Sequence, residues 1–286
     1  MTTADEAKMS YSEERETQRR SKLRAPVVYS MIQREGEEEL ERRSTSLFWS
    51  AIAAGIVMST SVLAEGILHH YIPEAQWKDA VVHAGYCVGF LIVVLGRMQL
   101  FTENTITVVL PVVNEFTKNK IREMVRVWGI VFFANMIGIG AAMALLSSGW
   151  IANDDVIQGM IAVSRPLLDR SFLEILGYGV PAGFLVAALV WILPNAKESQ
   201  FAVIVLVTYM IAMGGFSHVV AGSGEAFLLV FIGEATWGFA LFQFMIPALI
   251  GNIIGGTGLF AMLAYGQVRG HLREPAPPPP TEPKDQ

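Results

Sequence analysis

The segment Gly214-Gly215-Phe216-Ser217-His218-Val219-Val220-Ala221-Gly222 places one histidine between glycines in an otherwise apolar part of the chain. At membrane depth, a titratable side chain is costly and normally serves a function. Histidine is also the side chain whose ordinary pKa lies closest to physiological pH. His218 is therefore the first candidate for handling a proton or a substrate. The alternative is a histidine that only ties the backbone of a loop together.

Another polar break lies earlier in the chain, at Leu100-Phe101-Thr102-Glu103-Asn104. The hydroxyl of Thr102 can donate and accept hydrogen bonds without carrying charge, and Leu100 and Phe101 could form an apolar gate. Thr102 and Asn104 could also cap the following half-helix, a role compatible with the first. Half-helix N-termini facing the membrane midplane carry partial positive charge, which favours a small anion over a cation.

The composition excludes an ordinary water-soluble domain. Of 286 residues, 52% are apolar and 16% are charged, whereas soluble domains carry about 25% charged residues. The single cysteine, Cys87, lies in an apolar run, so no disulfide framework is expected. We find no nucleotide-binding glycine motif, metal-ligand cluster or nucleophile with a base, and no separate basic stripe. We therefore expect no enzyme activity, cofactor, metal or nucleic-acid partner.

Hydropathy predicts an all-α membrane protein with six crossings. The apolar segments are 46–68, 81–98, 125–148, 172–193, 201–215 and 239–265, with shorter pieces at 106–113 and 226–233. The shorter pieces follow the breaks Leu100–Asn104 and Gly214–Gly224, so the second and fifth spans are predicted to be broken helices. Irregular backbone at membrane depth survives only where protein buries it or where it lines a wet cavity.

The chain also repeats itself. Asn135-Met136-Ile137-Gly138 in the third span resembles Asn252-Ile253-Ile254-Gly255 in the sixth. The offset of 117 residues nearly matches the 116 residues between Thr102 and His218. Because each half contains three spans, the halves are predicted to be inverted repeats with the substrate path between them.

Basic residues predict the orientation of the chain. If both termini are cytoplasmic, 17 of the 21 lysines and arginines lie on the inner side, as the positive-inside rule requires. The predicted organisation is a cytoplasmic arm over 1–44, a membrane domain over 45–268 and a Pro-rich cytoplasmic tail over 269–286. The Glu-rich stretch Glu37–Glu41 is predicted to lie in a surface helix.

Taken together, three motifs resemble the formate/nitrite transporter family. They are Leu100-Phe101-Thr102, Gly215-Phe216-Ser217-His218, and the last-span run from Ile246 to Gly256. The resemblance extends from about Ser46 to Arg269. It implies an aquaporin-like fold, a homopentamer in the lipid bilayer of the inner membrane, and a separate pore in each protomer.

The resemblance also implies roles for individual residues. His218 corresponds to the family's central pore histidine and Thr102 to its partner, with Ser217 and Asn104 beside them in the substrate path. In the family mechanism, an anion gains a proton directly or through the histidine and crosses as the neutral acid, which costs far less in an apolar slit. The residues assigned to the flanking constrictions are Tyr86, Phe90, Leu100, Phe101, Val186, Ile211 and Phe216.

Two positions depart from the family pattern. Gly183 stands where many members have an asparagine that helps to hold the central site. Leu167 stands where a vestibule lysine is usual. Arg165 or Arg170 is expected to supply that charge, although interfacial anchoring is the alternative role of both arginines.

Ionisable residues are also more numerous near the spans than a neutral slit requires. Glu65, Arg97, Glu103, Glu174 and Glu225 lie in or near these segments. Because buried charges are normally paired, Arg97 is predicted to pair with Glu103 or Glu225 in a polar network beside the breaks.

The favoured function is a channel or proton-coupled transporter for small monovalent weak-acid anions such as formate or nitrite. An alternative is an aquaporin-like pore for neutral small solutes, in which His218 only orders a loop. A third is a non-conducting scaffold or sensor that uses the N-terminal arm.

Overall fold

The computed structural model describes residues 22–270. The arm before Lys22 and the tail after Gly270, which contains Pro277–Pro280, lie outside the described residues. The principal helices are α1 (Ala25–Glu41), α2 (Ser44–Tyr71), α3 (Lys78–Leu95), α4 (Asn104–Asn114), α5 (Lys118–Ser147), α6 (Asp154–Ser164), α7 (Phe172–Asn195), α8 (Gln200–Met213), α9 (Val219–Phe231) and α10 (Phe239–Val268).

The helices form the predicted six-crossing, aquaporin-like bundle. Five helices, namely α2, α3, α5, α7 and α10, are long and apolar enough to cross a membrane. The remaining crossing is built from α8 and α9, of 14 and 13 residues, which are separated by a short break. Another break, earlier along the chain, separates α3 from α4; we call it the first break, and the one between α8 and α9 the second break. The second and fifth spans are therefore broken, as predicted.

The second break is shorter than the sequence suggested. It was predicted to extend to Gly224, but α9 already begins at Val219. Gly222 and Gly224 lie inside this helix, where an added Cβ would come within 2.3 Å of Phe244 and 2.7 Å of Ile139. These glycines allow close helix packing, which is a common use of small residues in membranes, and do not interrupt the helix.

The two halves repeat one packing arrangement. In the first half, a Cβ on Gly138 of α5 would lie 2.3 Å from the carbonyl oxygen of Ile52 in α2. In the second half, a Cβ on Gly255 of α10 would lie 1.9 Å from the carbonyl oxygen of Val180 in α7. Glycine lets the backbones of each pair touch. The predicted inverted three-helix repeat is confirmed.

Helix α1 packs against the membrane domain. It contains the predicted Glu-rich stretch, but its opposite face buries Val28, Tyr29 and Ile32. A Cβ on Gly36 would lie 2.0 Å from the carbonyl oxygen of Thr107, so the backbones of α1 and α4 are in contact. This contact brings the acidic face of α1 to the first break.

Helix α6 was not anticipated from the sequence, because its 11 residues are too few for a span. Asn153 caps it by accepting a hydrogen bond from the backbone N–H of Val156 at 2.9 Å. A Cβ on Gly159 would lie 2.2 Å from the carbonyl oxygen of Gly66, which shows that α6 packs closely on α2.

Candidate functional site

The two breaks meet at His218 and Thr102. The Nε2 atom of His218 lies 2.7 Å from the Oγ1 atom of Thr102. His218 is 1% exposed and Thr102 is 0% exposed. The predicted pairing of the two loops is therefore present in the structure.

Hydrogen bonding assigns the proton on the His218 ring. His218 precedes α9, and its Nδ1 atom accepts a hydrogen bond from the backbone N–H of Ala221 at 3.2 Å. An accepting Nδ1 carries no hydrogen, so the neutral ring has its proton on Nε2. Nε2–H then donates to the Thr102 hydroxyl. The hydroxyl's own hydrogen is left to donate to a third group.

An asparagine fixes each break in the same way. The side chain of Asn135 accepts from the N–H of Phe101 at 2.9 Å and donates to the carbonyl oxygens of Ala51 and Gln99. Asn135 and its counterpart in the second half, Asn252, are both fully buried. These bonds satisfy backbone groups that an interrupted helix leaves without partners.

In the second half, Asn252 accepts from the N–H of Val219 at 2.9 Å and donates to the carbonyl oxygens of Gly179 and Ser217. The first turn of α9 is thus capped from within the protein by Asn252 and His218. The N–H groups of Val219 and Ala221 are therefore occupied within the protein and are not the anion ligands expected at a half-helix N-terminus.

Each break also contains one residue with left-handed backbone. Arg97 has φ 51° and Gly215 has φ 59°. They are 118 residues apart and occupy equivalent positions in the two halves. Glycine adopts this conformation without a steric cost, whereas an arginine incurs one because its Cβ approaches the backbone.

A cavity of about 210 Å³ opens beside His218, and we call it the Arg170 cavity. It contains the predicted site residues Ser217 and His218 and the predicted constriction residues Tyr86, Ile211 and Phe216. The Oγ atom of Ser217 is buried and has no hydrogen-bond partner among the described residues. Ser217 therefore offers an unused hydroxyl beside the histidine.

A cavity of about 380 Å³, which we call the Arg97 cavity, lies on the side of α1. Its polar lining includes Glu35, Arg97, Gln99, Glu103 and Asn104. The amide of Asn104 donates to the side chain of Gln99 at 3.1 Å. Asn104 therefore faces this cavity.

The two cavities lie at opposite ends of the same helices. Gln200 at the start of α8 lines the Arg97 cavity, and Ile211 near its end lines the Arg170 cavity. Eleven residues of α-helix span about 16 Å. His218 lines the Arg170 cavity, whereas its partner Thr102 lines neither cavity.

The four predicted constriction residues outside the Arg170 cavity have three kinds of surroundings. Phe90 packs edge-on against the His218 ring, with 4.9 Å between centroids. Leu100 and Val186 are buried in the core and line neither cavity. Phe101 also lines neither cavity and packs against two aromatic residues of α5, Trp128 and Phe132.

The predicted pairing of Arg97 with Glu103 or Glu225 is wrong. Arg97 instead forms an ion pair with Glu35 of α1. Glu103 lines the Arg97 cavity, with its Oε1 atom buried and unpartnered among the described residues. Glu225 lines the Arg170 cavity, so the three residues cannot form a single network.

The two candidate vestibule arginines have different surroundings. Arg165 forms a two-point ion pair with Glu234, at 2.6 and 2.9 Å, and does not line the cavity. Arg170 does line it. Its Nη1 donates to the carbonyl oxygen of Gly215 at 2.5 Å, and its guanidinium lies 5.0 Å from the centroid of the Tyr178 ring.

Comparison with known proteins identifies the family. Residues 26–266 match the family model described as formate/nitrite transporter. The chain belongs to the formate/nitrite transporter family.

Two relatives illustrate the range of similarity within the formate/nitrite transporters. The inner membrane protein YfdC of Escherichia coli K12 is 36% identical over 249 residues, which are 87% of this chain and 80% of that protein. The formate channel FocA of Escherichia coli K12 is 24% identical over 281 residues, covering 88% of this chain and 96% of that one.

Solved structures share the formate/nitrite transporter fold. A pentameric formate channel with formate bound gives a TM-score of 0.65 at 21% identity, covering 79% of this chain and 97% of that chain. An FNT family ion channel gives 0.69 at 15% identity, covering 85% and 98%.

The position of Gly183, a departure from the formate/nitrite transporter pattern, is explained by packing. A Cβ on Gly183 would lie 2.2 Å from the carbonyl oxygen of Asn252. The residue therefore touches the backbone of α10 beside the asparagine that fixes the second break. Leu167, the other departure, lines the same cavity as Arg170, so a cation is present in that cavity.

Sequence reasoning missed several residues of this site. Asn135 and Asn252 were noticed only as part of a repeat, although an asparagine in an apolar span is itself a signal of buried hydrogen bonding. Glu35 was not considered because it is distant in sequence. The contact between His83 Nδ1 and Glu65 Oε1, at 2.9 Å in the Arg170 cavity, was also missed.

Proposed function

We propose that the protein is a channel or proton-coupled transporter for small monovalent weak-acid anions such as formate or nitrite. The observation that carries the proposal is the buried His218–Thr102 pair between two polar cavities. A neutral acid can pass an apolar section at far lower cost than its anion. The polar pair offers the passing acid hydrogen bonds without a fixed charge.

The Thr102 hydroxyl is the group best placed to contact the substrate. Because His218 donates to it, its own hydrogen can turn toward a carboxyl or nitrite oxygen. The unpartnered hydroxyl of Ser217 would receive the substrate first on the side of the Arg170 cavity. Arg170 would attract the anion into that cavity.

Flux measurements test the proposal. Purified protein in proteoliposomes is expected to take up formate, with faster uptake when an inward proton gradient is imposed. His218→Phe is expected to change this flux while leaving assembly intact. Normal formate and nitrite flux in an assembled His218→Phe protein would remove the histidine from the mechanism.

Neutral solutes are a second candidate, favoured by the carboxyl groups of Glu65, Glu103 and Glu225 in the two cavities. Ionised carboxylates there would repel anions. Water and glycerol permeability, measured beside formate flux on one preparation, separates the candidates. Fast glycerol flux without formate flux would favour the neutral-solute pore.

The proposed assembly is a homopentamer in the inner membrane, with both termini in the cytoplasm. A solved structure with this fold is described as pentameric. Large apolar side chains such as Phe133, Phe242 and Leu263 are 65–67% exposed on the single chain, where lipid or neighbouring protomers would cover them. Native mass spectrometry tests the pentamer, and a C-terminal reporter fusion tests the orientation.

A further inference from the structure

Glu225 lies on the same face of α9 as His218. His218, Gly222 and Glu225 all line the Arg170 cavity. Residues spaced by four and seven positions share one face of an α-helix. Seven residues correspond to about 10 Å along the helix axis, so the carboxyl lies two turns from the histidine in the same chamber.

The other charged and titratable groups that face this cavity come from several elements. Arg170 lies before α7, and Glu65 from α2 is joined to His83 of α3 at 2.9 Å. Tyr86 of α3 completes the titratable lining. The carboxyl of Glu65 therefore has a partner, whereas Glu225 forms no ion pair with any residue between 22 and 270.

An ionised Glu225 and a substrate anion would oppose one another in this cavity. The volume of the cavity is about 210 Å³, so two negative charges inside it would lie close together. Among the described residues, Arg170 is the one arginine in the lining and could balance only one of them. Like charges that share a small site favour protonation of one member. The anion and the proton are then linked, and each increases the affinity of the cavity for the other.

We propose that Glu225 is the proton-coupling residue of the Arg170 cavity, which admits an anion only together with a proton on this carboxyl. The inference rests on the proposed transport of weak acids. The O–H bond of the Glu225 carboxyl breaks, an O–H bond forms on the substrate anion, and Glu225 remains as a carboxylate. The neutral acid moves past His218 and Thr102, and a proton from the aqueous phase restores the carboxyl.

Nitrate is the probe that isolates this step. As the anion of a strong acid, it can compete for the cavity but cannot accept the proton in the tested pH range. The experiment measures inhibition of formate uptake by nitrate at pH 5.5 and pH 7.5 in proteoliposomes of the full-length protein. Any pH dependence of nitrate binding then reports a group on the protein.

The wild-type protein is expected to lose about fivefold or more in apparent nitrate affinity at the higher pH, because deprotonation of a linked group weakens anion binding. Glu225→Gln is expected to change less than about twofold, because the amide keeps the shape of the neutral carboxyl but cannot ionise. Asp155→Asn, a carboxylate-to-amide change at an exposed position in the first turn of α6, is the matched control and is expected to behave as wild type.

The outcomes separate this inference from the proposed function. Wild-type pH dependence retained in Glu225→Gln would overturn the role of Glu225 while leaving weak-acid transport intact. Absence of formate and nitrite flux in the wild-type protein would overturn the proposed function. If Glu225→Gln does not assemble, proton uptake is measured on adding nitrate to weakly buffered wild-type protein. About one proton per protomer supports the proposal, and none overturns it.

Discussion

The ring of His218 and the hydroxyl of Thr102 lie 2.7 Å apart, although 116 residues separate them along the chain. The contact joins the second broken helix to the first. It also fixes the direction of the hydrogen bond, because the backbone N–H of Ala221 occupies the other ring nitrogen. A buried ring donor of one half is therefore joined directly to a buried hydroxyl of the other.

Replacing Thr102 with valine keeps the shape of the side chain but removes the hydroxyl. His218 Nε2–H would then lack its acceptor, and a buried unpaired donor costs about 1–3 kcal/mol. We expect a lower melting temperature and a roughly tenfold or greater loss of formate flux, since 1.4 kcal/mol corresponds to a factor of ten. Thr208→Val, at a buried threonine whose hydroxyl donates to the carbonyl oxygen of Ile204 in its own helix, is the control. Equal flux in both variants would contradict the prediction.

Replacing Asn252 with alanine removes three hydrogen bonds to the second break. The three backbone groups that Asn252 bonds would be left without partners. We therefore expect a loss of about 2–3 kcal/mol in the free energy of unfolding. Thermal melting in detergent measures it. Asn119→Ala, at an exposed asparagine that reaches only Glu123, is expected to melt as wild type. A stable Asn252→Ala protein would show that the break holds its shape without this side chain.

Adding a methyl group at Gly183 tests whether packing requires glycine there. The new Cβ would lie 2.2 Å from the carbonyl oxygen of Asn252, so α7 and α10 must separate. Overpacking of this kind costs about 1–3 kcal/mol. Gly177→Ala in the same helix, where a Cβ would meet nothing within 4 Å, is expected to be neutral or stabilising by about 0.5–1 kcal/mol. Equal melting temperatures would refute this account of Gly183.

The left-handed backbone of Arg97 predicts that glycine is more stable than alanine at this position, whereas the opposite order is expected at a helical position such as Arg122. At φ 51°, glycine is favoured over alanine by about 1–2 kcal/mol. Arg97→Gly is therefore expected to melt above Arg97→Ala, since both lose the ion pair with Glu35. At Arg122, an exposed position inside α5, the order reverses because glycine costs about 1 kcal/mol in a helix. The same order at both sites would argue against backbone strain at Arg97.

The ion pair of Arg165 with Glu234 predicts a dependence of stability on pH. Hydrogen bonding and the charge of Arg165 hold the pKa of Glu234 below its ordinary value of 4.5. A lowered pKa in the folded state means that the contribution is present at neutral pH and is lost as pH falls below 4.5 through the folded value. The melting difference between wild type and Glu234→Gln is therefore expected to shrink between pH 7 and pH 3, as calorimetry or thermal scanning can measure. A constant difference would count against the pairing.

The central pair and the six-span architecture could be predicted from sequence because both leave local signals. His218 and Thr102 are polar residues in short breaks between apolar runs, and the repeated Asn-x-x-Gly segments reveal the duplication. The span count follows from hydropathy, since a bilayer sets the length of apolar segments.

Partners that depend on helix docking could not be predicted. Arg97 meets Glu35 because α1 folds back against α4, and no local pattern specifies that contact. The ring of Phe101 packs against Trp128 of α5, another contact that depends on helix docking. The role of Gly183 depends on the distance to a backbone 69 residues away, which a single sequence does not reveal.

Asn135 bonds only to groups in the first half of the chain, and Asn252 only to groups in the second. The asparagine that fixes each interrupted helix therefore comes from the same half of the chain as that helix. The proposed path is completed by docking of the two halves, where the Thr102 hydroxyl of one half meets the His218 imidazole of the other. Two half-length chains, inserted into the bilayer in opposite directions, would form the same contact between Thr102 and His218 when they pair.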